Sequence, residues 1–491
     1  MTAKQRPFRI RTITAFITLH PDDIIGVEGN VGGGVASKIE QCNVMLRMLE
    51  TKLIDIGYEV QTVRIATNPF GEWLINSSNN QVYEDEQSTN KHNVENMNNT
   101  INVIQKKLYL LDQLLSEHNI DFCSLGPSMD VQHTISICPM IVNTSKRLSC
   151  SANINAGDVN SAQAAARCIL TISTLDNDNN HPNTANNDIV DHVKGGLGNF
   201  RFCASSCVTT VPFFPAAKTP SISNSDVNSS DTISFAIGLE NGKFARQLLE
   251  EAQSIGNIKH IFDTKMRLEL LPIQEVCKTF ASTHNCQGGG APSSSSTTTT
   301  RHITTNNIVK YLGIDTSLNP SLDNDGSIAS AIECLNEVST FGRAGTLAAA
   351  AAMTMSLQSL PDIITTGYCG LMLPVLEDRR LAELGMIGMD GTSSSSSSSC
   401  SSYPTNDDHH RLTIDKLLCI SSVCGVGVDT VPVTGNVSQD NLTSLILDVA
   451  ALAGRWNKAL SVRVFPVPGV QAGEMTTFDS PYMCNSRIFN L

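Results

Sequence analysis

The chain has 491 residues, of which 41% are hydrophobic and 16% charged, and its formal net charge is -13 at neutral pH. That is ample apolar material for a large core, with a thin charge density for so long a surface. The acidic balance, without any cluster of Lys and Arg, excludes a protein built to hold nucleic acid, and no window of about 18 uninterrupted apolar residues offers a membrane span.

Taken in order, the segments alternate between strand-like and helix-like patterns. Phe8 to Ile17 alternates and is rich in β-formers, so it reads as the first strand. Ile39, Cys42, Met45, Leu46, Leu49 and Leu53 recur at helical spacing and predict a helix over 37–56, followed by a strand over 59–65. The stripe Ile101, Ile104, Leu108, Leu111 and Leu115 predicts a helix over 94–116, and 120–125 returns to strand. Next come a strand over 148–154, a helix over 159–172, strands near 200–208 and 232–239, and helices over 242–252 and 258–280. The last part predicts a strand over 309–314, helices over 327–337, 346–357 and 414–421, a strand over 426–433, a helix over 439–457 and a strand over 460–465.

Five stretches near 76–93, 175–195, 218–230, 285–306 and 390–408 are rich in Ser, Thr, Asn, Asp or Gly and poor in aliphatics. They bury too little apolar area to offset chain entropy and read as low-complexity inserts in exposed loops. With these set aside, about ten strands with intervening helices favour one closed or strongly curved α/β sheet, so residues 1–491 are expected to form a single α/β barrel domain. Met1 to Phe8 carries no apolar stretch of signal-peptide length, and the fifteen cysteines are scattered, several within apolar runs. A cytoplasmic protein with reduced thiols is expected. Neither Cys203/Cys207 nor Cys419/Cys424 has the spacing of a zinc site, and four core histidines (His20, His118, His133, His260) are too few for a histidine-rich metal centre, so no metal site is expected.

Arg11-Thr-Ile-Thr14, Ser151-Ala-Asn-Ile-Asn155, Gly313-Ile-Asp315-Thr-Ser-Leu-Asn-Pro320 and Val423-Cys-Gly-Val-Gly-Val-Asp429 stand in this order, with Pro212-Phe-Phe-Pro-Ala-Ala217 between the second and third. In order and spacing the chain resembles the uncharacterised protein family 0210, also called domain of unknown function 711, from Phe8 to about Gly473. The resemblance implies the ten-stranded α/β barrel of pyruvate formate-lyase-like proteins. It does not imply their radical chemistry, because Ser480 to Leu491 holds no glycine. The family pattern has an aromatic residue and a histidine after its Phe-Pro-Ala-Ala block, where this chain has Lys218 and Thr219. Bacterial members tend to neighbour small amino-acid-binding regulatory proteins.

Several corners carry candidate chemistry. Cys424, followed by Gly425 and Gly427, reads either as an exposed thiolate with amide donors nearby or as a packed cysteine in a tight turn. Asp429 reads as a group orienting a substrate or proton donor, or as a loop cap. Asp315, followed by Thr316, Ser317 and Asn319, is a polar strand end or an Asx-type turn; Asn153 and Asn155 stand at another strand end, as amide donors to a carboxylate or as turn formers. Arg343 with Gly345 and Thr346 before an alanine-rich helix is an anion cradle or a plain cap. His133, after Asp130, is the histidine to test as general acid or base, against a turn or surface role.

These residues leave two functions open. One is an enzyme acting on a small anionic metabolite, held by Arg343 and the Gly345/Thr346 amides while Cys424 or Asp315 does nucleophilic or proton work. The other is a non-catalytic metabolite sensor. A small-molecule ligand is the expected partner, with no nucleic acid and no membrane; cofactor and oligomeric state are left unassigned.

Overall fold

The computed structural model describes residues 6–24, 33–75, 91–175, 192–219, 232–286, 308–323, 325–386 and 411–491. The five expected inserts fall mostly outside these residues. Among the described residues nine strands form one mixed, mostly parallel sheet: β1 Arg9–Phe16, β2 Val63–Ala66, β3 Phe122–Ser128, β4 Leu148–Asn153, β5 Phe202–Ser206, β6 Thr232–Glu240, β7 Ile308–Asp315, β8 Gly427–Thr434 and β9 Leu460–Val467. Their order is β7-β6-β1-β2-β3-β4-β5-β9-β8. β1 to β5 run parallel as a block; β6 with β7, and β8 with β9, are parallel pairs that join its two sides antiparallel.

The longer helices between strands are α1 Gly33–Asp55, α2 Lys91–Glu117, α3 Val131–Thr144, α4 Val159–Ser173, α5 Gly242–Ala252 and α6 Arg267–Cys286. After β7 come α7 Ile328–Ile332, α8 Thr346–Gln358, α9 Arg379–Met386, α10 Ile414–Ser421 and α11 Gln439–Trp456. The stripe read on α1 is buried throughout, from Ile39 to Leu53. Starts are set by side chains that accept an otherwise orphaned N–H: Asp130 for α3, Asp158 for α4, Ser327 for α7, Thr413 for α10 and Ser438 for α11. Helix α3 was not expected, and the helix expected over 327–337 is only the short α7. Among the described residues no helix is long and apolar enough to cross a membrane.

Alternation divides every central strand between two faces. One face packs Ile13, Val63, Ile65, Cys150, Val462 and Val464 into the main core with the helices. The other carries Thr14, Arg64, Ser124, Ser149, Ser461 and Arg463, and these too are buried. A half-solvated sheet would leave such a polar face wet.

Two further segments cover that polar face. Residues 208–217 lie across it, with Pro212 O accepting from Thr14 Oγ1 at 2.7 Å and Ala217 O from Ser124 Oγ at 2.7 Å. Val208, Val211, Phe213 and Ala216 form a second apolar cluster there with Cys203 and Tyr368. Residues 364–376 run between the two outer strands of the sheet. Thr365 and Leu371 bridge in parallel to Ile314 and Leu318 at β7, and Pro374 bridges to Asp429 of β8. Thr366 N donates to Ile314 O at 3.1 Å and Met372 N to Leu318 O at 2.9 Å; Val375 N donates to Asp429 O at 3.2 Å.

Candidate functional site

The polar face encloses a cavity between the sheet, the 208–217 segment and the 364–376 segment. Its charged lining comes from strands: Arg11 from β1, Arg64 from β2, Asp429 from β8 and Arg463 from β9, with Glu377 from the end of the bridging segment. Two backbone irregularities aim these groups. The β1–β6 register shifts between Ile10 and Thr12, leaving Arg11 as the extra residue, and the β8–β9 register shifts between Val428 and Val431, around Asp429. Bulges of this kind redirect a side chain out of strict alternation.

Most of these charges are compensated within the wall. Arg463 grips Asp429 with two bonds, Nε to Oδ1 at 2.6 Å and Nη2 to Oδ2 at 3.1 Å, and reaches Glu377 Oε1 at 3.1 Å. Arg11 donates to Glu377 Oε2 and to Glu240 Oε2, both at 2.8 Å. Burial opposes the charge of Arg463, but Asp429 and Glu377 outweigh it and hold the guanidinium firmly protonated. Burial also raises the pKa of Glu377, against the pull of Arg463 and Arg11.

Arg64 is different. Its Nε donates to Thr62 Oγ1 at 2.9 Å, and its guanidinium lies against Phe214 and Phe122, 4.7 and 5.2 Å from the ring centroids. Among the described residues no carboxylate lies within 4.0 Å of it, and neither terminal nitrogen makes a hydrogen bond. The side chain is 5% exposed, and burial, then the charge of Arg11, pushes its pKa down to about 9. It is therefore still a cation at neutral pH, one that Asp121 and Glu377 attract from beyond contact distance but that no carboxylate among the described residues pairs directly.

The rest of the lining is apolar or hard to ionise. Phe213, Phe214, Ala216, Met372 and Val426 contribute carbon surface. Burial lifts the Cys203 thiol and the Tyr368 phenol far above their ordinary ranges, so neither is an anion at neutral pH. Outside this cavity lies a second hollow lined by Arg9, Glu59, Glu240 and Asp323, and it shares Arg11, Arg64 and Glu377 with the first. Tyr482 borders it, its ring 6.1 Å from that of Phe200 and 16° from parallel.

Of the residues singled out from sequence, Asp429 lines the cavity itself. Asp315 sits one layer behind. It is fully buried and accepts from Ser317 N and Oγ and from the backbone N–H groups of Tyr368 and Cys369, which fixes the strand end and the wall residue Tyr368. Gly367 (φ 83°) makes this close approach possible, because a Cβ there would stand 2.1 Å from Asp315 Oδ2. Burial raises the Asp315 pKa, opposed by these four hydrogen bonds.

The other expected residues stand elsewhere. Cys424 is buried, its thiol pushed up to about 11 chiefly by burial, and its carbonyl accepts from Lys458 Nζ at 2.5 Å; the cavity lining begins two residues later, at Val426. Asn153 ends β4 in register with Ser205, and Asn155 opens the turn before α4, its carbonyl accepting from Asp158 N at 3.0 Å. Thr346 starts α8, its hydroxyl accepting from Gly342 N at 3.0 Å, and Gly345 (φ 93°) packs so tightly that a Cβ would meet Glu337 O at 2.1 Å. Arg343 lies in that same turn, near Lys416. His133 is in the first turn of α3, its backbone N–H capped by Asp130 at 2.9 Å and its ring 6.4 Å from that of Phe70. The structure thus brings Asp429 and, through Tyr368, Asp315 to one place, and does not bring Arg343, Gly345, Thr346, Cys424, Asn153, Asn155 or His133 into the cavity wall.

Sequence reasoning missed Arg11, Arg64, Glu377 and Arg463. A signal existed for the arginines: each stands inside a buried strand pattern, as in Val63-Arg-Ile-Ala66 and Ser461-Val-Arg-Val464, where a charge is out of place unless the opposite face encloses something polar. Among the described residues no group of three or more His, Cys, Asp or Glu is placed to hold a metal ion.

Comparison with known proteins adds a family. The UPF0210 protein of Methanocaldococcus jannaschii is 28% identical over 173 residues, covering 35% of this chain and 33% of that protein. That of Desulforudis audaxviator is 30% identical over 168 residues, 34% of this chain and 32% of the relative, and that of Oleidesulfovibrio alaskensis is 32% identical over 112 residues, 23% and 20%. The chain thus aligns with a third or less of the length of these curated relatives. The family profile reaches much further, matching residues 1–480, and the chain belongs to the family described as Uncharacterised ACR (DUF711).

Proposed function

We propose that this protein binds a small anionic metabolite in the cavity on the polar face of its sheet, with Arg64 as the anchor. The carrying observation is the unequal pairing of the cavity arginines. Arg11 and Arg463 are each held by two carboxylates, whereas Arg64, buried like Arg463, touches Thr62 and aromatic carbon and has no carboxylate within 4.0 Å among the described residues. Burying a cation without a partner is costly, and a site that does so is prepared for an anion from outside. Asp429 is retained as the candidate group for proton exchange with a ligand so held, joined by Glu377.

A non-catalytic sensor is the second reading. Both oxygens of Asp429 and both of Glu377 are already engaged by arginine, so a ligand must loosen those pairs before either carboxylate acts as a base. We also propose that the sheet closes into a barrel of one domain, with residues 364–376 acting as the tenth stave between β7 and β8. The parallel bridges on both sides of that segment, and the burial of the polar face, support this. Amide exchange tests closure: the Thr366 and Met372 amides should be protected like those of β7, and rapid exchange at both would refute it.

The anion reading is tested by thermal shift against a panel of small carboxylates, phosphates and sulfate, on the native protein and on Arg64→Met. At least one anion should raise the melting temperature of the native protein and leave that of the variant unmoved. A panel without effect, or shifts equal in both proteins, would remove Arg64 as the anchor.

A further inference from the structure

Resting on the anion-site reading, we infer that the ligand class of the Arg64 cavity is a small monocarboxylate with a short carbon tail, taken edge-on by the guanidinium fork, and that dianions are refused. Three features of the wall point this way.

The first is which donors remain. Nε of Arg64 is committed to Thr62 Oγ1, and one flank of the guanidinium is covered by the stacked pair Phe122 and Phe214, whose centroids are 4.5 Å apart. What is left is the pair of terminal amino groups, whose hydrogens lie in one plane at the spacing of the two oxygens of a carboxylate.

The second is charge. The lining sets Arg11, Arg64 and Arg463 against Glu377 and Asp429, one positive charge in excess. One incoming negative charge balances that excess at the arginine that no carboxylate contacts among the described residues. A second would face Glu377 and Asp429 in a medium that screens poorly, with no cation left to meet it.

The third is the remaining surface. Beyond the charged groups much of the lining is carbon, from Phe213, Phe214, Ala216, Met372 and Val426, beside the neutral Asn319, Tyr368 and Ser461, which suits a few carbons and offers a second anionic group no cation. Tyr368 Oη and Ser461 Oγ lie 3.4 Å apart and Ser461 Oγ also donates to Val426 O at 3.3 Å, which leaves the Tyr368 oxygen to accept from a neutral polar substituent on the tail.

The test is isothermal titration of the full chain with propionate, malonate and inorganic phosphate, repeated on Arg64→Lys and Arg64→Met. Propionate should saturate the native protein, with malonate and phosphate weaker by about tenfold or more. Arg64→Lys keeps the charge but loses the planar fork, so propionate should weaken about tenfold there and its binding should vanish in Arg64→Met. Malonate or phosphate binding as tightly as propionate in an Arg64-dependent manner overturns the monocarboxylate inference and leaves the anion site standing. Absence of any Arg64-dependent binding overturns both. Should either variant fail to fold, competition on the native protein decides: phosphate displacing propionate at equal concentration contradicts the inference, and failure to displace it supports the inference.

Discussion

On β2 the neighbours Arg64 and Ile65 point to opposite faces of the sheet, and both are nearly inaccessible, at 5% and 2% exposure. Ile65 packs with the helices in a continuous apolar layer, where every contact adds stability. Arg64 is buried to the same degree in a wall of arginines, carboxylates and aromatic rings, without an ion-pair partner among the described residues. On β9, Arg463 and Val464 repeat the contrast, except that Arg463 is clamped by Asp429 and Glu377. The strands thus give one face to folding and the other to a polar interior, and within that interior two arginines are clamped by carboxylates while a third is not. Burial alone does not tell a structural charge from a functional one; the partners do.

Substitutions on the two faces separate these roles. The largest loss is expected for Arg463→Met, which leaves Asp429 and Glu377 buried beside an apolar side chain; urea unfolding should show about 3–5 kcal/mol of destabilisation. A loss below about 1 kcal/mol would mean that the clamp is not structural. Ile65→Ala opens a cavity in the helix-facing layer and should cost about 2–4 kcal/mol in the same assay, with anion binding retained.

A smaller effect is expected at His133, away from both. Burial holds its pKa below the ordinary 6.5 even though Asp130 pulls it up. Between that lowered value and 6.5 the unfolded chain takes up a proton that the folded protein does not, so the stability contribution is full above 6.5 and is lost as the pH falls through the folded-state pKa. The native protein should therefore lose more melting temperature than His133→Gln between about pH 7 and about pH 5. Parallel pH profiles would show that His133 stays solvated.

Periodicity made much of the frame legible. The stripe from Ile39 to Leu53 and the alternation of Arg9 to Phe16 are signals carried within one segment, and the structure follows them. Helix α3 escaped because Ile135 to Ile141 is apolar nearly all round and contains Pro139, so it shows no clean stripe. Residues 364–376 escaped for another reason. Gly367, Gly370 and Pro374 interrupt any local pattern, and the segment is held in place by isolated bridges to Ile314, Leu318 and Asp429, all distant in the chain.

The site divides in the same way. Asp429 was readable at the end of Gly425-Val-Gly-Val428, but its partner Arg463 lies 34 residues on, and Glu377 joins them from a third segment. The turn at Arg343, Gly345 and Thr346 looked like an anion cradle because free amides at a helix start are a local signal, whereas the lack of a contacting carboxylate at Arg64 among the described residues is visible only once the chain is folded.

The most direct measurement is urea unfolding of Arg64→Met beside the native protein in buffer free of small carboxylates and phosphate. If Arg64 is an uncompensated charge kept for a ligand, replacing it with a side chain of similar length should leave the midpoint unchanged or raise it. A fall as large as that expected for Arg463→Met would show that Arg64 is part of the frame, and the cavity would lose its anchor.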